Sequence, residues 1–138
     1  MLYCHLKLGP FSFVDDVSEV KKGQSITAFF TLKGDEEFLL DHFEGFPVMP
    51  GVLLLESLKQ AACTLLQTST GSGFFYRLSG VQQVKFGQFV RPGDRVQLGV
   101  RLAGSDGLRA DFEGLAHLAE GGKPGARVLQ ASFSLEKI

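Results

Sequence analysis

Apolar and polar residues alternate with a period of two along much of the chain, and one stretch breaks that pattern. From Gly51 to Gln67 (GVLLLESLKQAACTLLQ) there is no proline and no internal glycine, and apolar residues fall on every side of a helical wheel. Only Glu56, Ser57, Lys59 and Gln60 interrupt the first four turns. A helix that is apolar all round is a buried helix, so this segment is predicted to be the rod on which the rest folds. Before it, Pro10 to Val20, a turn at Lys21 to Gln24 and Ser25 to Leu32 read as a β-hairpin. Gly34 to Asp41 reads as an acidic turn or short helix with a solvated face. After the rod, Thr68 to Gly73 reads as a flexible linker, followed by four long alternating segments. These are Phe74 to Phe89, Arg95 to Ala103, Leu108 to Ala119 and Ala126 to Glu136, divided by turns at Arg91–Asp94, Gly104–Gly107 and Glu120–Gly125. In the second, Val96, Leu98, Val100 and Leu102 share a face. In the third, Leu108, Ala110, Phe112, Ala116 and Leu118 oppose Arg109, Asp111, Glu113 and His117, which puts His117 on the exposed side.

Two strands, an apolar helix and an antiparallel meander bury that helix only if the sheet curls around it. The predicted fold is therefore α+β, an antiparallel sheet wrapped around one long central helix, the hot-dog arrangement, in a single domain over residues 1–138. Such a sheet leaves a long strand edge open, which predicts a homodimer or an assembly of dimers. Composition adds exclusions. Fourteen basic residues against fifteen acidic ones give a net charge of −1, so there is no electrostatic footprint for nucleic acid. No stretch approaches the roughly 20 apolar residues of a membrane span, and the first residues lack a basic region followed by an apolar run, so a cytoplasmic protein is expected. Thirteen phenylalanines with no tryptophan suit a dry tunnel or a large interface as well as a core. Cys4 and Cys63 are too few for a disulfide framework, and Cys63 reads as a small thiol packed within the rod. His5 belongs to no recognisable motif.

The candidate chemistry lies between Asp41 and Gln67. Pro47 and Pro50 hold the residues before them extended, so the chain turns sharply into the helix at Gly51. The Gly51 N–H then sits at the positive end of the helix dipole, where a developing oxyanion is stabilised. Glu56 stands among Leu53, Leu54, Leu55 and Leu58, and desolvation there raises a carboxyl pKa toward the range useful for acid–base work. Gln60, four residues on and so on the same helical face, is placed to orient that carboxyl. His42, just before the proline-bounded loop, is the candidate partner base. One at a time, these read most simply as a helix-surface carboxylate and a packed loop histidine; together with the prolines and Gly51 they read as a site. No metal-ligand constellation or phosphate loop is present in the sequence, and neither is expected.

This block resembles the active-site signature of the (3R)-hydroxyacyl-acyl carrier protein dehydratases of the FabZ and FabA type. The residues that carry the resemblance are His42-Phe43-Glu44-Gly45-Phe46-Pro47-Val48-Met49-Pro50-Gly51-Val52-Leu53, then Glu56 and Gln60. They are similar to H-F-P-G-x-P-V-M-P-G-V-L followed by a carboxylate and, four residues later, Gln. His42 and Glu56 stand 14 residues apart, as in that family, and a glutamate at 56 favours the FabZ branch over FabA. Val14-Asp15, Gly80-Val81-Gln82-Gln83-Val84-Lys85-Phe86 and Val90-Arg91-Pro92-Gly93-Asp94 extend the resemblance from Pro10 to the last strand. The chain departs from the pattern at Glu44, where the family has proline, at Lys59, where it has a small apolar residue, and before Pro10, where its His-Arg pair is replaced by Leu8-Gly9.

The resemblance implies dehydration of (3R)-3-hydroxyacyl-acyl carrier protein to the trans-2-enoyl thioester, in fatty acid or related lipid or polyene biosynthesis. It implies His42 as base toward C2, Glu56 as acid toward the C3 hydroxyl, the Gly51 N–H at the thioester carbonyl, Gln60 as orienting residue, and an active site shared across a dimer. Phe43, Phe46, Val48, Leu53, Phe74 and Phe75 are candidates for the acyl channel. No cofactor is implied beyond the phosphopantetheine that carries the substrate. Lys85, Arg91, Arg95 and Arg101 are candidates for a basic patch that receives an acidic carrier protein, and read most plainly as dispersed strand-surface charges. Two other readings are a hot-dog acyl thioesterase and a non-catalytic acyl-carrier-binding subunit, the latter motivated by Glu44 and Lys59.

Overall fold

The computed structural model describes residues 12–34, 48–70, 76–121 and 123–138. Among these residues, six strands form an antiparallel sheet around one helix: β1 (Asp16–Lys21), β2 (Ser25–Thr31), α1 (Gly51–Thr70), β3 (Tyr76–Phe86), β4 (Arg95–Ser105), β5 (Arg109–Glu120) and β6 (Lys123–Lys137). The strand order is β1-β2-β4-β5-β6-β3, which leaves β1 and β3 as the edges. This is the hot-dog fold that the alternation predicts.

The register explains why the helix lies in the sheet. Ile26 pairs with Val100, Val100 with Gly114 and Gly114 with Ala131, while Ala28 pairs with Leu98, Leu98 with Ala116 and Ala116 with Leu129. These rows face inward and are buried, and their small members, Ala28, Gly114, Ala116 and Ala131, hollow the middle of the sheet. Helix and sheet meet closely at Gly114, where an added Cβ would lie 3.0 Å from Leu58 Cδ1 of α1 and 3.2 Å from Phe133 Cε1. Phe112 and Phe133 stack beside it with centroids 5.6 Å apart, and both are buried. Leu54, Leu58, Ala61, Ala62, Leu65 and Leu66 fill the hollow from the helix side. Two hydroxyls of α1 bond back to its own carbonyls: Ser57 Oγ donates to Leu53 O (3.3 Å) and Thr64 Oγ1 to Gln60 O (3.0 Å).

The Arg91–Asp94 turn locks the outer half of the sheet. Asp94 Oδ2 accepts the Arg91 N–H, Gly93 takes φ +94°, and the Gly93 N–H and Asp94 carbonyl bond the carbonyl and N–H of Leu32 at the end of β2. Glycine supplies a backbone conformation there that L side chains rarely adopt.

Several boundaries differ from the sequence reading. The helix runs on through Thr68–Thr70, because nothing before Gly71 stops it. The first strand starts at Asp16, and Phe13 instead packs edge-on against Phe30, centroids 5.8 Å apart. The expected turn from Glu120 to Gly125 is much tighter, since Glu120 already pairs with Lys123 and Ala119 with Pro124. Leu108, predicted inward, precedes β5 and is exposed, while His117 is half-buried at a register shift and not fully on the outside. Cys63 is fully buried and disulfide-bonded, where a plain packed thiol is expected; the other cysteine, Cys4, lies outside the described residues. No helix among the described residues is long and apolar enough to cross a membrane.

Candidate active site

The site begins where the chain enters α1. The Met49 N–H donates to the Val90 carbonyl (2.9 Å), fixing the entry segment against the chain that leaves β3, and the Pro50 carbonyl accepts from the N–H groups of Leu53 and Leu54. Gly51 is therefore the first helical residue, and its N–H belongs to the first turn, where no intrahelical acceptor exists. A cavity of about 400 Å³ opens at this point, walled by Val48, Met49, Pro50, Val52, Phe86 and Phe89 with Gly51 among them. Phe86 lies against the glycine so closely that a Cβ on residue 51 would sit 2.4 Å from Phe86 Cε1. Phe86, Phe89 and Val52 are exposed aromatic and aliphatic surface at the cavity mouth, at 62%, 57% and 70% accessibility.

The carboxyl lies further along the same helix. Gln60 Nε2 donates to Glu56 Oε2 (3.0 Å), and Gln60 Oε1 accepts the backbone N–H of Phe13 (2.7 Å). The second bond determines the first: with its oxygen turned to a backbone donor, the amide has only its NH₂ to offer the carboxyl. Lys59 Nζ stands 3.9 Å from the same Glu56 oxygen, with both side chains largely buried. Burial raises the Glu56 pKa above its ordinary value, and the Gln60 bond and the Lys59 charge oppose that without reversing it. A carboxyl in this setting holds its proton to higher pH than an exposed one and so is suited to give it up to a leaving group.

Of the sequence-predicted residues, the structure joins Glu56 to Gln60 and places Gly51 and Val48 in the cavity wall. Leu53 is half-buried against the core and is not part of that wall. His42, Phe43, Phe46, Phe74 and Phe75 lie outside the described residues. Glu56 does not line the Gly51 cavity. Five residues along an α-helix turn the side-chain direction by about 140°, so carboxyl and glycine face different sides of α1. Sequence reasoning missed Phe86 and Phe89 as cavity residues; the one signal for them was two phenylalanines three apart at a strand end followed by the glycine-containing exit.

The hot-dog sheet and a buried carboxyl oriented by a glutamine on its central helix define the class. The family model described as ApeI dehydratase, ApeI-like, matches residues 18–120. The chain is 39% identical over 127 residues to the 3-hydroxyacyl-[acyl-carrier-protein] dehydratase FabZ of Myxococcus xanthus, covering 90% of this chain and 80% of the relative. The chain belongs to the ApeI-like family of FabZ-type hot-dog dehydratases. It is a dehydratase, a hydro-lyase. Its fold matches the dehydratase heterocomplex ApeI:P from Xenorhabdus doucetiae with a TM-score of 0.80 at 16% identity, over 100% of this chain and 92% of that one. A hypothetical thioesterase with coenzyme A from Streptococcus pneumoniae shares the fold at a TM-score of 0.65 and 10% identity, over 89% of this chain and 84% of that one. Fold alone thus admits both activities, and the sequence relatives favour dehydration.

Proposed function

We propose that the chain removes water from (3R)-3-hydroxyacyl thioesters carried on the phosphopantetheine of acyl carrier protein, yielding the trans-2-enoyl thioester, in fatty acid or related lipid or polyene biosynthesis. In this reading the His42 imidazole takes a proton from C2 and the C2–H electron pair forms the C2=C3 bond. The C3–O bond breaks, and the Glu56 carboxyl, directly or through a water, protonates the departing hydroxyl. The Gly51 N–H stabilises charge that develops on the thioester oxygen, a kind of contact whose loss typically costs about 100- to 1000-fold. Gln60 aims the carboxyl, and the cavity at Gly51 takes acyl chain, with Phe43, Phe46, Phe74 and Phe75 as further candidates for its walls. No cofactor beyond the carrier's phosphopantetheine enters the reaction.

The observation that carries the shared site is the angular separation of Gly51 and Glu56 on one helix. A cavity on one side of α1 and a carboxyl on the other serve one thioester only if two helices contribute. A second chain then supplies Glu56 to the first chain's Gly51 and His42, and receives the same in return. The 11-residue edge strand β3, longer than the bulged and charged β1 at the other edge, is the surface through which a second copy would extend the sheet.

The test is turnover of a set of 3-hydroxyacyl carriers by the purified protein, with enoyl thioester as the expected product. Free pantetheine thiol without enoyl product would establish a thioesterase instead. Binding of acyl carrier protein without turnover would establish a non-catalytic subunit, and either result overturns the proposal.

A further inference from the structure

Glu56 and Lys59 are the only charged residues of α1. A lysine on a globular protein normally keeps its ammonium in water by extending its stem, and full burial is unusual unless the charge is paired. Lys59 is 8% exposed, and its Nζ stands 3.9 Å from Glu56 Oε2, an ion pair beyond hydrogen-bond length. The carboxyl is thus held from two sides. Gln60 fixes one oxygen by a direct bond, and Lys59 applies charge to that same oxygen from one helical turn away.

Among the described residues, other sources of charge facing the helix are few. The inward residues of β2, β4, β5 and β6 are glycine, alanine, larger aliphatics and phenylalanine, and their Arg, Asp and Glu side chains lie on the outer face. From β1 the inward residue is the half-buried Val20, and from β3 they are the buried Tyr76 and the half-buried Leu78 and Val84. Among the described residues, Tyr76 is the one titratable strand side chain buried in the core, the His117 ring of β5 is half-buried at its register shift, and Lys59 is the one charge acting on Glu56. In the proposed function His42 joins them in the shared site.

We propose that Lys59 is a positioning residue of this site, its ammonium steadying the Glu56 carboxyl and setting the pH range over which that carboxyl delivers a proton. The inference rests on the proposed role of Glu56. A buried carboxyl with no cation beside it holds its proton more tightly, and a weaker acid gives that proton to a departing hydroxyl less readily. A cation at 3.9 Å opposes that effect, so the carboxyl becomes a readier proton donor.

The experiment is the pH dependence of kcat/KM and kcat on a 3-hydroxyacyl-acyl carrier protein for the native chain, Lys59→Met and Lys59→Arg. Glu56 must be protonated to act as the acid, so its titration sets the alkaline limb of the profile. Removing the cation raises its pKa and moves that limb upward, by about one pH unit in Lys59→Met. Lys59→Arg keeps the limb near its native position, because the charge is retained. An alkaline limb unmoved in Lys59→Met, with Glu56→Gln inactive, overturns the inference while leaving the function standing. Native activity in Glu56→Gln would instead overturn the reading of Glu56, and this inference with it. Should Lys59→Met fail to fold, Lys59→Gln is titrated by the carboxyl resonance of Glu56 in the folded protein. A titration at the native pH there overturns the inference equally.

Discussion

Glu56→Gln is expected to lose about 100- to 10,000-fold in kcat, the contribution typical of a positioned general acid. The substitution preserves shape and leaves an acceptor oxygen for Gln60, so it removes the transferable proton and little else. The pH behaviour of stability separates this from damage to the fold. Burial raises the Glu56 pKa, so the folded state holds that proton more tightly than the unfolded chain does. The resulting stability is fully present below the ordinary carboxylate pKa and is lost as pH rises through the raised one. Above that window the native chain carries a buried charge that Glu56→Gln does not. The variant should therefore melt at or above the native Tm at alkaline pH while being nearly inactive, as found where a site is held strained for function. Thermal melts across pH alongside turnover rates check both halves; a variant with native kcat contradicts the assignment.

The largest effect on stability is expected from Phe133→Ala. Phe133 is fully buried, stacks on Phe112 and closes against the Gly114 gap through which Leu58 of α1 meets the sheet. Removing a ring from such a position costs about 3–5 kcal/mol, transfer and cavity terms together. For a chain of this size that corresponds to a fall in Tm on the order of 10–20 °C, read at fixed protein concentration because association adds to stability. A loss under about 1 kcal/mol would mean that the helix does not depend on this part of the sheet for its seat. Its neighbours Phe112 and Leu58 are themselves fully buried and close-packed, so neither swings in to fill the void without other parts of the core moving.

The reason these two residues are so unequal in kind was already visible in the chain. Phe133 belongs to a period-two row, and period two with inward apolar positions identifies a strand wherever it occurs. The same logic gave the four long strands and the central helix, whose residues are apolar on every side because the sheet wraps it. Glu56 and Gln60 were legible as a pair because four residues on a helix put side chains on one face, and the structure joins them at 3.0 Å. What escaped depends on contacts distant in sequence. The Phe13 N–H that turns Gln60 toward Glu56 comes from 47 residues away, and no local pattern marks it. Phe86 and Phe89 read as strand residues, but the chain leaves β3 after Phe86 and carries both rings to the cavity at Gly51. Leu108 was placed inward by alternation, yet the turn's hydrogen bonds from Leu108 and Arg109 to Asp106 leave it outside the strand. Glycine content made the β5–β6 connection look long, whereas Glu120 and Lys123 pair directly across it.

The pH windows above also bear on the outer face. Asp106 accepts backbone N–H groups in its turn, and Asp111 accepts from Ser134 Oγ and Arg109; both carboxyls are held below their ordinary pKa by these bonds. Their contribution is therefore present above the ordinary carboxylate pKa and lost only as pH falls through the lowered values. Melts below the ordinary carboxylate pKa report these residues and melts above it report Glu56, which keeps the two carboxylate populations experimentally separate.

In the proposed site two chains complete each other, and mixing inactive subunits tests that most directly. His42→Ala and Glu56→Gln chains are co-folded in equal amounts, and the mixed assembly is verified by mass before assay. Each mixed dimer then carries one doubly damaged site and one intact site, with His42 from one chain and Glu56 from the other. With random pairing, the mixture should recover about a quarter of native activity from two nearly inactive parents. A verified mixed assembly that stays as inactive as its parents would contradict the shared site.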